Sequence, residues 1–460
     1  MAAAILARLI ILLSFSAAPA LADSLGIEWS GGETTVFQSG QNAFSLPLAN
    51  IRPLTRREHV VGNSFFNRNW VVASGSPKAR DGLGPLFNAH SCSACHLHDG
   101  RGKAPLAGGP ATSLLFRLSL PGDTHNGAPH PHPTLGTQLS NHAIPGLKPE
   151  GRVEIDYEPV AGQFADQTPF ELRKPVYKLI LSHPYSTDTN SILLGPRLAP
   201  PVFGLGLLEA IPEAAINRFA DPNDVNQDGI SGRINRVWNH EKGVYQIGRF
   251  GWKANQPKLR QQIAAAFFHD IGITSSIVTG ESLSEGPSIE LASLPHGGTP
   301  EISDRIFQRV LRYQQTLAPP ARRDWNQPNV RQGERFFRSA RCDRCHLPEL
   351  KTGRHPDLAE LSFQTIRPFT DLLIHDLGPG LSDGRPDFQA SGSEWRTAPL
   401  WGIGLTAAVN RNEFYLHDGR ARTLSEAILW HGGEARFSRE TYRNATQAER
   451  QDLIAFLKSL

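Results

Sequence analysis

Apolar positions recur at helical spacing in four stretches of this chain. Val330, Phe336 and Phe337 mark one, with Gly333 placed where a neighbouring element must come close. Gly62, Phe65 and Phe66 repeat that arrangement nearer the N-terminus. Asp304 to Leu317 reads as a third helix, ended by the linker Ala318-Pro319-Pro320. At the C-terminus Thr446-Gln-Ala-Glu449 is a capping box, in which the hydroxyl and the carboxylate each satisfy a backbone N–H of the first turn. Leu453, Ile454, Phe456, Leu457 and Leu460 then follow on one face. Strand-like alternation is confined to Val153-Glu-Ile155-Asp-Tyr157. From Leu106 to about Gly204 the chain is rich in Pro and Gly and reads as irregular loop. With 42 Gly and 35 Pro in 460 residues, much of the whole must be turn.

The first 22 residues form a different class of segment. Arg8 precedes the apolar run Leu9 to Phe15, and Ala20-Leu21-Ala22 is a small-x-small cleavage site. This is a secretory signal peptide in pattern, with an apolar core too short to span a bilayer. Export implies a periplasmic protein, and no other run is apolar enough for a transmembrane segment. Net charge is +3 without a long basic run, which argues against a nucleic-acid partner.

All four cysteines lie in two strings, Cys92-Ser-Ala-Cys95-His96 and Cys342-Asp-Arg-Cys345-His346. Each is C-x-x-C-H, the c-type haem attachment pattern. Two thiols on one helical turn add to the vinyl groups of one porphyrin, and the adjacent imidazole meets the iron as proximal ligand. A zinc site, a redox dithiol and a disulfide pair are the competing readings of such pairs. Two copies, each followed by His and with no cysteine left over, favour two covalently bound haem c. Met1 is the only methionine. Neither iron is therefore expected to have the His/Met coordination of high-potential cytochromes.

Further strings carry a family resemblance. Asp81-Gly-Leu-Gly-Pro-Leu-Phe-Asn-Ala-His-Ser-Cys92, Phe203-Gly-Leu-Gly-Leu-Leu-Glu209, Gly248-Arg-Phe-Gly-Trp252-Lys-Ala and Glu394-Trp-Arg-Thr-Ala-Pro-Leu-Trp are four of them. The fifth runs from Leu416-His417-Asp-Gly-Arg through Glu426-Ala-Ile-Leu-Trp-His431 to Gly-Gly-Glu434. Together they resemble the bacterial di-haem oxidoreductases, a family often labelled peroxidase or "thiol oxidoreductase". The thiol label fits poorly, because haem attachment would consume both cysteine pairs. More distantly, the C-terminal half is similar to the di-haem cytochrome c peroxidases, including a turn matched by Leu373-Ile-His375-Asp-Leu-Gly. In those peroxidases an E-A-x-x-x-M string ends in the methionine ligand of the C-terminal haem. The resemblance therefore implies that His431 takes that place and gives bis-His ligation. It also implies that His417 serves a haem propionate or orients a ligand, and that Trp252 is a candidate electron bridge, with a packed core aromatic as the plainer reading.

The expected fold is mainly α, with two cytochrome c-like haem domains, long irregular loops and a few short strands. The divisions are residues 1–22 as signal peptide, 23–325 as an N-terminal haem domain with large insertions, and 326–460 as a C-terminal cytochrome c-like domain. His59, His98, His125, His130, His142 and His269 are all available to the first haem, whose sixth ligand stays open; His130 and His132 are also read as a lid or metal loop. Asp224, Asn226, Asp228 and Ile230 in D-x-N-x-D-G-x form a candidate Ca²⁺ loop, although Asn235 stands where an EF-hand has Glu. An ordinary turn is the alternative. The expected function is peroxidase-like reduction of a small molecule at the N-terminal haem. A small redox protein or a quinol-linked donor would supply electrons. Glu209 is the one candidate for acid–base work. A non-catalytic electron carrier, or an oxygenase or protein-modifying enzyme on the same scaffold, are the rival readings.

Overall fold

The computed structural model describes residues 26–183, 191–280 and 294–460, so the signal-peptide segment lies outside the described residues. Five helices build the surroundings of the two C-x-x-C-H strings: α1 (Pro53–Asn67), α2 (Asp304–Gln315), α3 (Pro328–Ser339), α4 (Leu424–Trp430) and α5 (Gln447–Ser459). Proline opens α1 and α3, where its missing N–H costs nothing. Ser303 and Thr423 cap α2 and α4 by accepting from Ile306 and Glu426 backbone N–H groups. The capping box on α5 is complete in both directions.

Two helix crossings organise the molecule. α1 packs on α2, and α3 packs on α5. Glycine stands at the contact in each. A Cβ on Gly62 would collide with the Arg309 carbonyl, and one on Gly333 with the Asp452 carbonyl. Four residues after each glycine, Phe66 and Phe337 turn toward the motif histidines, with ring centroids 6.3 Å from His96 and 6.4 Å from His346. The same device is thus built twice. Around the first crossing Phe66, Trp70, Phe267, Phe307 and Tyr313 are buried in one apolar cluster. Phe337, Leu453, Phe456, Trp395 and Trp430 belong to a second cluster at the other. Each such side chain contributes about 1.5–3 kcal/mol of burial.

The expectation of a mainly α chain is corrected: 29% of the chain is helix and 20% strand, in many small sheets. The strands that shape the site are β1 (Leu114–Asp123), β2 (Gly151–Gln163), β3 (Pro169–Leu181), β4 (Leu193–Leu198), β5 (Ile374–Asp376) and β6 (Glu394–Arg396). β1 pairs antiparallel with β4, Leu114 opposite Leu198. β2 and β3 form a long hairpin from Gly151 opposite Leu181 to Gln163 opposite Pro169. Its tip reaches α5, where Arg450 binds Asp166 at 2.6 Å. β5 pairs with β6. Most of the added strand lies in the Pro- and Gly-rich stretch that reads as loop. A two-stranded ribbon leaves one edge of each strand in solvent, so Pro159 and Pro175 interrupt nothing that a wider sheet would need.

Gly62→Ala and Gly333→Ala are each expected to destabilise the fold by about 1–3 kcal/mol, since neither carbonyl can retreat from the new methyl without parting the helices. Denaturant titration measures this, and Gly40→Ala, at an exposed position, serves as the control.

Candidate functional site

Both C-x-x-C-H strings fold as one tight turn. Cys92–Cys95 is a single α-turn and Cys342–Arg344 a 3₁₀ turn, and in each the histidine N–H donates to the first cysteine carbonyl at 3.0 Å. The four thiols are free, and the two pairs line different cavities, so they do not meet at one zinc. His96 Nδ1 donates to the Pro200 carbonyl at 2.7 Å, and His346 Nδ1 to the Phe369 carbonyl at 3.0 Å. A carbonyl oxygen only accepts, so the proton sits on Nδ1 and the Nε2 lone pair is left over. Burial pushes both imidazoles down to about 4, which keeps them neutral. Neutral imidazole with one nitrogen held by a carbonyl is the form that ligates a metal.

The two cavities differ in what faces these histidines. The C-terminal one is lined by His346 and also by His431, His417 and His375. His431 follows the last turn of α4, and its Nδ1 donates to the Ala427 carbonyl at 2.7 Å. Its Nε2 is therefore left in the same state as those of His96 and His346, and burial lowers its pKa. His417 stacks flat on Trp395 at 3.7 Å, and burial pushes it down to about 3. His375 is held quite differently, with Nε2 2.8 Å from Asp371 and Nδ1 2.7 Å from Glu434. Acceptors on both sides make that ring a doubly protonated cation. Cys345, Asp371 and His375 come within reach of one another. Both imidazole nitrogens are already taken, so the trio is not a separate metal site.

The N-terminal cavity contains one imidazole, His96, among its described lining residues. Its remaining polar wall carries arginines, amides and the carboxylates Asp270 and Asp387. Trp252, Trp401, Arg101 and Arg396 line both cavities and form the partition between them. Trp252 Nε1 donates to the Leu198 carbonyl at 2.8 Å, and Arg101 lies over its ring at 5.3 Å.

This doubled geometry agrees with the sequence-wide comparison. Residues 25–460 match the family model described as "Di-haem oxidoreductase, putative peroxidase". The chain belongs to the di-haem oxidoreductase family. No curated protein and no solved structure matches it.

A di-haem oxidoreductase must accommodate two porphyrins with four propionates, and the cavity walls fit that load. Arg101 Nε and Arg249 Nε are buried without a hydrogen-bond partner, as is His417 Nε2. Burial lowers Arg101 and Arg396 to about 10, so both stay charged at neutral pH. A buried cation with an unmatched donor is costly unless an anion reaches it. Propionates are such anions.

The other histidines have ordinary roles. His59 bonds Thr316 at 2.9 Å, His98 bonds Gln41 at 2.7 Å and His142 bonds Asn141 at 2.7 Å. His125 and His130 are exposed. His132 Nδ1 accepts from Thr134 and Leu135 N–H groups at 3.1 Å, which makes it a turn residue rather than a metal ligand. His269 is next to Asp270 but is not part of the cavity wall. Glu209 lines neither cavity; it accepts from Leu259 N–H and Gln315, both at 2.9 Å, and ties helices together. In the 224–230 loop, Asp224 accepts from Asp228 and Gly229 N–H groups. Asn226 accepts from Asp228 N–H and Asp228 from Ile230 N–H. Ile230 reaches the C-terminal cavity, while Asn235 is buried and donates to the Lys253 and Asp387 carbonyls. The sequence reading missed Asp270, Arg117, Arg101, Trp401, Asp371 and Glu434. Only Trp401 and Glu434, inside family strings, carried any signal.

Proposed function

We propose that this di-haem oxidoreductase is exported through residues 1–22. In the periplasm it takes electrons from a small redox protein or quinol-linked donor and reduces a small substrate, with peroxide the first choice. Thioether links from Cys92 and Cys95, and from Cys342 and Cys345, would hold one haem c in each cavity, and haem supplies the redox-active iron there when bound. His96 and His346 would be the proximal ligands. The observation that carries the reading is the inequality of the cavities: two imidazoles whose Nδ1 is held by a backbone carbonyl in the C-terminal one, a single imidazole in the other. His431 would complete bis-His ligation at the second haem, which suits electron entry and a low potential. The first haem would keep a face for substrate. Trp252, in the partition, would carry electrons between them, and His417 would receive a propionate.

Two cysteine-anchored haems match the stoichiometry of peroxide reduction, H₂O₂ + 2 e⁻ + 2 H⁺ → 2 H₂O, one electron from each. The Asp224–Ile230 loop is proposed to take a Ca²⁺ ion. Support comes from its place beside the C-terminal cavity: the next residue, Ser231, bonds Glu434, which in turn holds His375.

The resting ferric protein is expected to give one low-spin and one high-spin EPR signal. His431→Ala should convert the low-spin signal to high spin. Two low-spin signals, unaltered by peroxide, would instead identify a simple electron carrier. Asp228→Ala should lower the calcium content per chain measured by atomic emission, and equal content in mutant and parent removes the calcium assignment.

A further inference from the structure

We infer that Asp270 is the proton-transferring carboxylate of the N-terminal cavity, oriented by Gln138 and faced by the Arg117 cation. The inference rests on the open first haem proposed above and names the residue that would move protons there.

Only two carboxylates line this cavity among its described residues, Asp270 and Asp387. Asp387 is committed elsewhere. Its Oδ2 pairs with Arg385 at 3.2 Å and accepts from Asn255 at 3.0 Å. The lone pairs of that oxygen are taken by the guanidinium and the amide. Asp270 has no such ion pair in contact among the described residues. Its Oδ1 accepts from Gln138 Nε2 at 2.9 Å, and the residue lines the cavity wall.

The placement of Asp270 is over-determined. Gln262, Ile263, Ala266 and Asp270 line the cavity from one face of the helix Leu259–Ala266 and the π-helical turn Phe267–Ile271 that continues it. Such turns recur at functional sites. The Asp270 carbonyl accepts from the Asn88 and Ala89 N–H groups at 2.8 and 2.9 Å, fixing it against the segment that leads into Cys92. Gln138 is itself held, its two Nε2 hydrogens shared among Asp270 Oδ1, Asn88 Oδ1 at 2.8 Å and the His269 carbonyl at 3.0 Å. Backbone and side chain of Asp270 are thus both held, at a position on the cavity wall.

Burial raises Asp270 above the usual carboxylate range, and the nearby Arg117 opposes that rise. Arg117 projects from β1, half-buried and also facing Asp387 and Arg197. His269 on the same turn, Gln138 from the neighbouring loop and the Cys92 and Cys95 sulfurs complete the surroundings. A carboxyl group held at the cavity wall can accept a proton and return it. For peroxide the task is to take the proton from the oxygen that binds and deliver it to the far oxygen. The O–O bond then breaks and the far oxygen leaves as water. Two electrons from the external donor and two protons from solvent then convert the oxygen left behind into the second water, which completes H₂O₂ + 2 e⁻ + 2 H⁺ → 2 H₂O.

Cyanide tests this without turnover, because HCN must give its proton to a base as its carbon binds ferric haem. In the haem-loaded protein Asp270→Asn is expected to slow cyanide association about 100-fold. Carbon monoxide binding to the ferrous protein moves no proton and should be unchanged. Asp270→Glu should recover part of the cyanide rate, and Gln138→Leu should lose a smaller part. Cyanide association in Asp270→Asn equal to that of the parent overturns the assignment. Should that variant fail to fold, an unchanged rate in Gln138→Leu overturns it instead. A parent that binds neither cyanide nor carbon monoxide refutes the open haem, a different failure from loss of Asp270 as the base.

Discussion

Three hydrogen bonds along the run Leu198–Pro200 tie the two cavities into one device. The Leu198 N–H donates to the His417 carbonyl, its own carbonyl accepts from Trp252 Nε1, and the Pro200 carbonyl accepts from His96 Nδ1. One short stretch therefore orients an imidazole of the first cavity, the indole of the partition and the backbone of a residue lining the second. β4 delivers it, and the antiparallel pairing with β1 holds it in register. β1 also carries Leu115 and Arg117 into the first cavity, so one sheet edge supplies a wall of the site as well as its anchor. A shift of one residue in this pairing would turn each of those side chains to the opposite face.

Electrostatics distinguish the cavities as much as ligand supply does. The C-terminal cavity has neutral imidazoles that burial strips of protons, next to a His375 cation clamped by Asp371 and Glu434. The partition brings two guanidiniums, Arg101 and Arg396, to both cavities at once. The N-terminal cavity adds Arg117, Arg197 and Arg249 and, among its described residues, answers them with only two carboxylates. Such an excess of buried positive charge is tolerable where the resident cofactors bring anions of their own. It also lowers the cost of holding Asp270 ionised when a proton has to be taken.

Helix patterning was legible because each relevant helix buries a single face. Val330 to Phe337 and the terminal leucines predict α3 and α5, and the capping box marks the start of α5 to the residue. Sheet content was not legible. β2 alternates clearly only over Val153 to Tyr157 yet continues to Gln163, because its far half lies exposed in a ribbon where little demands a hydrophobic face. Misjudging the Pro- and Gly-rich insertion made the fold look mainly α. Glu209 misled in another way. Its family string marks a residue that fastens helices, and a string alone does not say whether a carboxylate faces a cavity or a backbone N–H.

Sequence by itself determined the local chemistry: two turns that each bring two thiols and an imidazole together, the absence of methionine as a ligand, and glycines where helices cross. These depend on spacings of a few residues, which a helical turn converts directly into geometry. Tertiary structure alone decided which distant residues meet in each cavity. His431 meets His346 there, Asp270 reaches the wall around His96, and Trp252 stands between them. Those groups are separated by long stretches of chain, and only the folding of the insertions around two helix crossings brings them to the walls of the same cavities.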